Sequence, residues 1–284
     1  MIKILVTALL MILLTSQLTR AFEYATARGV GLGQTVVLSD PSTSAMLIVP
    51  SSALLSGQGR VELGATRRFE LQDLDQGYIA AAFCLNRFTY AISATQFGNG
   101  DLYAERLARA ATAYTFHSFT AGAVASIMEI DFGGHYENLS AFGLGLGTSY
   151  RSDKVSVAAV VEDLNWPRLH RNSERIRPAY SLYTELVGPG SYSVTGKVTF
   201  QKRERPIFGV GQKIDISPLA SVFWGLSTSP FIYGGGLELI YKRSLITYAT
   251  SYHPTLGFTH ILSVGFMLGR TGSGEDEQSH QRGY

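Results

Sequence analysis

The chain has 284 residues, enough for one large domain or two ordinary ones; 16% are charged, against roughly 25% in soluble domains, while 45% are apolar. A formal net charge of +2 gives nucleic acid no basic footprint, which excludes it as a partner. The single cysteine, Cys84, can make neither an internal disulfide nor a thiolate zinc site, and 30 Gly, 15 Tyr and 15 Phe suit tightly turned, aromatic-rich β structure.

The first residues combine a positive Lys3, an apolar run from Ile4 to Leu14, and small residues around Arg20 in Thr19-Arg20-Ala21. That pattern predicts a signal peptide over residues 1–21, cleaved after Ala21. The apolar run is too short for a spanning helix, and no cysteine follows it for a lipid anchor. No later window approaches 18 continuous apolar residues, so strands are the only means left for crossing a bilayer.

Residues 22–58 are punctuated by Gly, Ser and Pro, with Ala27-Arg28-Gly29-Val30-Gly31-Leu32-Gly33 followed by Asp40-Pro41. The glycines do not make a phosphate loop: no strand precedes them, the third Gly of GxGxxG is missing, and no Gly-Lys-Ser/Thr follows. They instead allow backbone to pack closely in a confined space. With Val36, Val37, Leu38, Met46, Leu47, Ile48 and Val49 the segment is also apolar enough to be buried.

From Gly59 onward short segments of period-2 character alternate with turn residues. In Tyr192 to Gln201, the residues Tyr192, Val194, Val198 and Phe200 alternate with Ser193, Thr195, Lys197 and Thr199. Ser140 to Tyr150 sets Phe142, Leu144, Leu146 and Tyr150 against Ala141, Gly143, Gly145 and Gly147, and Phe258 to Phe266 repeats the theme. Short connections are expected at 85–87, 116–118, 151–154, 188–190, 216–218 and 242–244. Other connections, some longer, are expected at 69–76, 98–101, 133–138, 167–177, 203–206, 229–230 and 253–257. These turns delimit about fourteen strands of roughly ten residues, an even number of tilted membrane strands.

A soluble sandwich shows the same period with its apolar face inward. Three features favour a membrane barrel over residues 59–268. The wet face is rich in Gly, Ser, Ala and Thr; aromatics including Tyr78, Phe83, Phe88 and Tyr114 gather near segment ends as girdles; and fourteen strands exceed one sandwich. The expected fold is all-β, a transmembrane antiparallel β-barrel with residues 22–58 as a plug in its lumen, because fourteen strands enclose more space than small inward side chains fill. Glu62, Arg109, Glu129, Glu162, Asp163, Glu185, Lys197, Lys213 and Glu238 are expected to point into the lumen, since lipid exposure at mid-depth costs a basic residue about 2 to 4 kcal/mol. Phe266 is the expected terminal aromatic of the last strand, read by the barrel-assembly machinery, and 269–284 a disordered periplasmic tail.

No catalytic centre, metal site or cofactor is expected. The six histidines lack ligand spacing, no Gly-x-Ser-x-Gly elbow exists, and His117-Ser118 sits in a predicted turn, which disfavours a membrane-embedded hydrolase.

The run Ala27-Arg28-Gly29-Val30-Gly31-Leu32-Gly33, then Asp40, then Pro50 before Ser51-Ser52-Ala53-Leu54, resembles the mature N-terminus of the FadL-like outer-membrane barrels, in particular their PorV/PorQ branch. His253 to Phe266 resembles the last hairpin of the same branch. Departures are Val49 in place of the Asn before Pro50, Ser51-Ser52 in place of Ala-Gly, and the tail after Phe266. The resemblance implies a fourteen-stranded outer-membrane barrel whose N-terminal hatch involves Arg28, Gly29, Gly31, Gly33, Asp40 and Pro50. It implies one of two functions. PorV/PorQ proteins serve type IX secretion, with secretion-system proteins as partners, whereas other FadL-like proteins move hydrophobic small molecules such as fatty acids and release them sideways through a gap in the wall. Most outer connections here are only a few residues long, and long outer loops are where a capture site would be built. That tilts the expectation toward secretion. In either role the lipid of the outer membrane surrounds the barrel.

Overall fold

The computed structural model describes residues 26–39, 43–52, 58–99, 103–133, 138–170, 175–189 and 191–268. The expected signal peptide and the expected tail lie outside them. No helix among the described residues is long and apolar enough to cross a membrane.

Fourteen strands form a closed barrel in which each is antiparallel to its sequence neighbours. They are β1 (Gly59–Arg67), β2 (Asp75–Leu85), β3 (Phe88–Asn99), β4 (Tyr103–Phe116), β5 (Phe119–Asp131), β6 (Leu139–Arg151), β7 (Val155–Glu162), β8 (Ala179–Gly188), β9 (Tyr192–Gln201), β10 (Ile207–Ser217), β11 (Ala220–Thr228), β12 (Phe231–Tyr241), β13 (Ser244–His253) and β14 (Gly257–Leu268). β14 closes on β1 in unbroken register from Gly59 opposite Leu268 to Arg67 opposite His260. Closure gives every strand a partner on both sides, which is the condition for a sheet to sit in lipid.

The alternation read from the sequence sets the two faces. Phe142, Leu144, Leu146 and Tyr150 of β6 point outward and are 42–49% exposed, while Ala141 is buried inside. Burying these side chains in hydrocarbon is what makes the outward face stable. Asn86 and Lys242 take positive φ in their two-residue connections, as tight hairpins require. The six short connections fall at one end together with the start of β1 and the end of β14, and the others at the opposite end. Bacterial barrels put short turns toward the periplasm, so these are the periplasmic and outer ends.

Three details depart from the sequence reading. Tyr78 is no girdle residue: it is buried inside, its ring covers Gly64 across the β1–β2 pair, and its hydroxyl donates to Glu62. β7 stops at Glu162, so the β7–β8 connection begins at residue 163, four residues earlier than expected. Asp163 and Trp166, both at positive φ, turn the chain there. β14 runs two residues past Phe266, to Leu268.

Phe266 is outward and 47% exposed. Phe266→Asp is therefore expected to lower the amount of folded protein in membranes, read as the fraction migrating fast on a gel before boiling. Removal of residues 270–284 is expected to leave that fraction near wild type, and the reverse ranking would displace the register of β14.

Candidate functional site

Two helical turns occupy the lumen, α1 (Ala27–Gly31) and α2 (Thr43–Ile48). Thr26 caps α1 by accepting a hydrogen bond from the Gly29 backbone N–H at 3.1 Å. α1 packs on β11 to β14 and α2 on β1 to β4, so the two turns line adjoining arcs of the wall that meet at the β1–β14 pair.

Glycines make this packing possible on both surfaces. Gly33, at φ +66°, lies against the backbone of Leu226, and a Cβ on Gly225 of β11 would overlap Leu32. Gly209 and Gly211 of β10 face the carbonyls of Gly33 and Leu32 in the same way. Gly122 of β5 and Gly147 of β6 receive Pro50, while Gly31 lies under the Phe223 ring. The inward glycines are thus a mould of the plug backbone, and larger residues there would expel it. Asp40 lies outside the described residues.

Charge fixes the plug in place. Arg28 makes a two-pronged ion pair with Glu238 of β12, its Nε donating at 2.6 Å, and Thr247 also donates to this carboxylate at 3.1 Å. Glu238 is fully buried and Arg28 nearly so. Glu185 of β8 accepts from the backbone N–H groups of Leu38 and Ser39 at 2.8 and 2.6 Å, and from the Ser39 hydroxyl at 2.6 Å. Arg109 of β4 donates to the Leu47 carbonyl at 2.8 Å and to Glu162 at 3.1 Å, and Arg151 donates to the Leu38 carbonyl. Thr35 and Thr195 join hydroxyls at 2.5 Å.

Seven expected lumen charges point inward: Glu62, Arg109, Glu162, Glu185, Lys197, Lys213 and Glu238. Lys197 rests over the Tyr183 ring at 5.7 Å and Lys213 pairs with Asp215 at 2.8 Å. Glu129 does not join them. It shares the outward face of β5 with Ile127, opposite Arg106, and bonds Arg106 at 3.4 Å and Asn138 at 2.9 Å near the outer end. Above the hydrocarbon an outward carboxylate costs little, so the argument from lipid cost did not constrain it.

The lumen has an apolar side. Leu107 of β4, Met128 and Ile130 of β5 and Ala141 of β6 are buried on inward positions in the outer half. Leu169 and Ile176 of the β7–β8 connection fold against the cluster that contains Leu107, Met128, Ala141 and the plug residues Leu32, Met46 and Leu47. A hydrogen bond from the Ile176 N–H to the Pro167 carbonyl at 2.8 Å narrows this connection at its base.

Beside that surface the wall is low. β6 pairs with β7 only from Leu146 to Arg151, so Leu139 to Gly145 have β5 on one side and no paired strand on the other. Asn165 takes the place of the missing strand. Its side-chain Oδ1 accepts from the Leu144 N–H at 2.9 Å, its Nδ2 donates to the Phe142 carbonyl at 2.7 Å, and the Leu164 N–H donates to the Leu144 carbonyl at 2.8 Å. A side-chain amide carries the donor and acceptor of a peptide group, so one residue seals two edge groups. Nothing in the sequence reading singled out Asn165; the signal was an Asx residue two positions before Pro167, where a strand is due to end.

Two outcomes follow. Deleting residues 24–56 while retaining residues 1–23 is expected to leave a barrel that inserts and conducts ions in planar bilayers far more than wild type; equal low conductance would mean the wall itself closes the pore. Glu238→Ala, which leaves Arg28 buried without its counter-charge, is expected to loosen the plug by about 3 to 5 kcal/mol. Conductance bursts on a barrel of unchanged heat-dependent mobility would report this.

No protein-family model and no curated protein matches the sequence. The fold, by contrast, has solved counterparts. The structure of the Pseudomonas putida toluene transporter TodX superposes with a TM-score of 0.61 at 10% identity, covering 87% of this chain and 97% of that one. A Pseudomonas aeruginosa FadL homologue gives 0.60 at 10% identity, covering 88% and 99%, and the Acinetobacter baumannii outer membrane protein Omp33 gives 0.52 at 11%, covering 75% and 99%. The chain has the fold of FadL-like outer-membrane barrels.

Proposed function

We propose that this protein is an outer-membrane channel for hydrophobic small molecules. They enter the outer half of the lumen along its apolar side and leave sideways where β6 rises above β7. The observation that carries the reading is the continuity of that side: Leu107, Met128, Ile130 and Ala141 lead to the stretch of β6 that Asn165, and no strand, covers. An apolar solute gains on this path by staying out of water, and it would reach the hydrocarbon without crossing the charged contacts around Arg28 and Glu185. The outer connections are short, as the sequence suggested, but Leu169 and Ile176 of the β7–β8 connection fold inward, as a capture surface needs.

Two counterparts support this by what is said of them, a toluene transporter and a FadL homologue. The secretion role expected from the PorV/PorQ resemblance draws no support from these counterparts, and the weight moves to the hydrophobic-transport alternative.

The test is entry of a fluorescent long-chain fatty acid and of toluene into cells whose outer membrane otherwise excludes them. Wild type is expected to raise entry of at least one about tenfold over empty vector, and Met128→Arg, which sets a charge on the apolar side, to return it to background. Asn165→Ala is expected to change the entry rate while leaving assembly intact. Wild-type entry equal to vector, with a protein-secretion defect in a deletion strain, would overturn the reading in favour of secretion.

A further inference from the structure

The outward surface holds a depression of about 630 Å³ toward the outer end of β1, β2, β3, β13 and β14. Strand register explains it. The deepest of three outward rows, Ala94, Ile79, Leu63, Val264 and Ile246, is wholly apolar. The next row toward the outer end reads Gln96, Gly77, Ala65, Leu262 and Tyr248, and the row beyond it Asp75, Arg67, His260 and Thr250. Successive rows are about 6.5 Å apart along the strands, so the surface passes from hydrocarbon to charge within one lipid headgroup. Gly77 and Ala65 leave the middle row without bulk. A Cβ on Gly77 would meet no atom nearer than 4.0 Å, so the absent side chains are the cavity.

Its flanks are chemically specific. On one side the Tyr248 and His260 rings lie 20° from parallel with centroids 6.3 Å apart, joined by a 2.8 Å hydrogen bond between Tyr248 Oη and His260 Nδ1. On the other side Arg67 makes a two-pronged pair with Asp75 at 3.1 and 3.0 Å, and Gln96 adds an amide in register with Gly77.

We propose that this depression seats a glycolipid of the outer leaflet. An acyl chain lies over Ala65 and the apolar row beneath it. A sugar ring stands against the Tyr248–His260 shelf, with its hydroxyls bonded by Gln96, Arg67 and Asp75. The ligand is a sugar and not a phosphate because the positive charge of Arg67 is already matched by Asp75, and His260 Nε2 lies 3.6 Å from Glu70. That balance of donors and acceptors suits hydroxyls, while two carboxylates repel an added anion. It is a lipid and not a free sugar because the floor continues into the membrane-facing apolar row. The proposal stands apart from the transport reading, which concerns the inside of the barrel.

The test titrates the full chain, held in lauryldimethylamine oxide, with a neutral monoglucosyl diacylglycerol, phosphatidylglycerol or maltose, and counts adducts by native mass spectrometry. The glucolipid is expected to half-saturate at a concentration about tenfold below phosphatidylglycerol, and maltose to leave no adduct. Gly77→Leu with Ala65→Leu fills the floor, and Gln96→Ala removes the amide without touching it. Each is expected to raise the half-saturating concentration about fivefold. Folding is checked by heat-dependent mobility, and if the double variant fails that check the decision rests on Gln96→Ala. Equal glucolipid affinity in wild type and folded variants, equal affinity for phosphatidylglycerol, or dimers in place of lipid adducts would each overturn the proposal.

Discussion

The pairing of β1 with β14 is the interaction on which everything else rests. Their ladder turns a fourteen-strand sheet into a ring, and only a ring gives every backbone N–H and C=O a partner in the absence of water. The same requirement explains Asn165. Where β7 stops short, the edge groups of Leu144 and Phe142 would face lipid unpaired, at a cost of several kcal/mol each, and the side-chain amide takes them up. A low wall is tolerable only because that substitution is built in.

Closure at fourteen strands creates the second problem, a lumen too wide for its own small side chains. The plug answers it with a division of labour. Glycines on both surfaces allow contact between backbones, which fills volume without committing side chains, while Arg28, Glu185 and Glu238 fix orientation. Burying an ion pair gains little net stability, but leaving either partner alone is costly, so the pair enforces one position of the plug rather than strengthening the barrel. The remaining charges spread around the wall, and Leu107, Met128, Ile130 and Ala141 form an apolar patch between Glu105 and the Arg109–Glu162 pair.

The residues that matter most inside are thus of two kinds. Polar groups near the plug hold it to the wall, and apolar groups beside the low wall form the surface on which the proposed transport rests. On the outside, by contrast, register alone produces a graded surface from hydrocarbon to charge, interrupted where Gly77 and Ala65 leave room.

The sequence by itself determined the class, the strand number, the inward and outward faces and the position of nearly every turn, because a period-2 pattern in lipid admits one register per strand and turn residues report their own geometry. It also pointed to 22–58 as the filling, from the mismatch between barrel width and the size of inward side chains. Only the tertiary structure decided what those residues touch. Tyr78 follows the inward parity of β2, out of phase with Ile79 and Phe83, and its place over Gly64 is a pairing between strands that no local pattern reveals. Glu129 follows the outward parity of Ile127, and it is tolerated there because of its depth along the strand, which alternation does not report. Asn165 became part of the wall because a strand ended four residues early beside a longer neighbour. Such contacts depend on where two distant segments meet, and that meeting is fixed by ring closure as a whole.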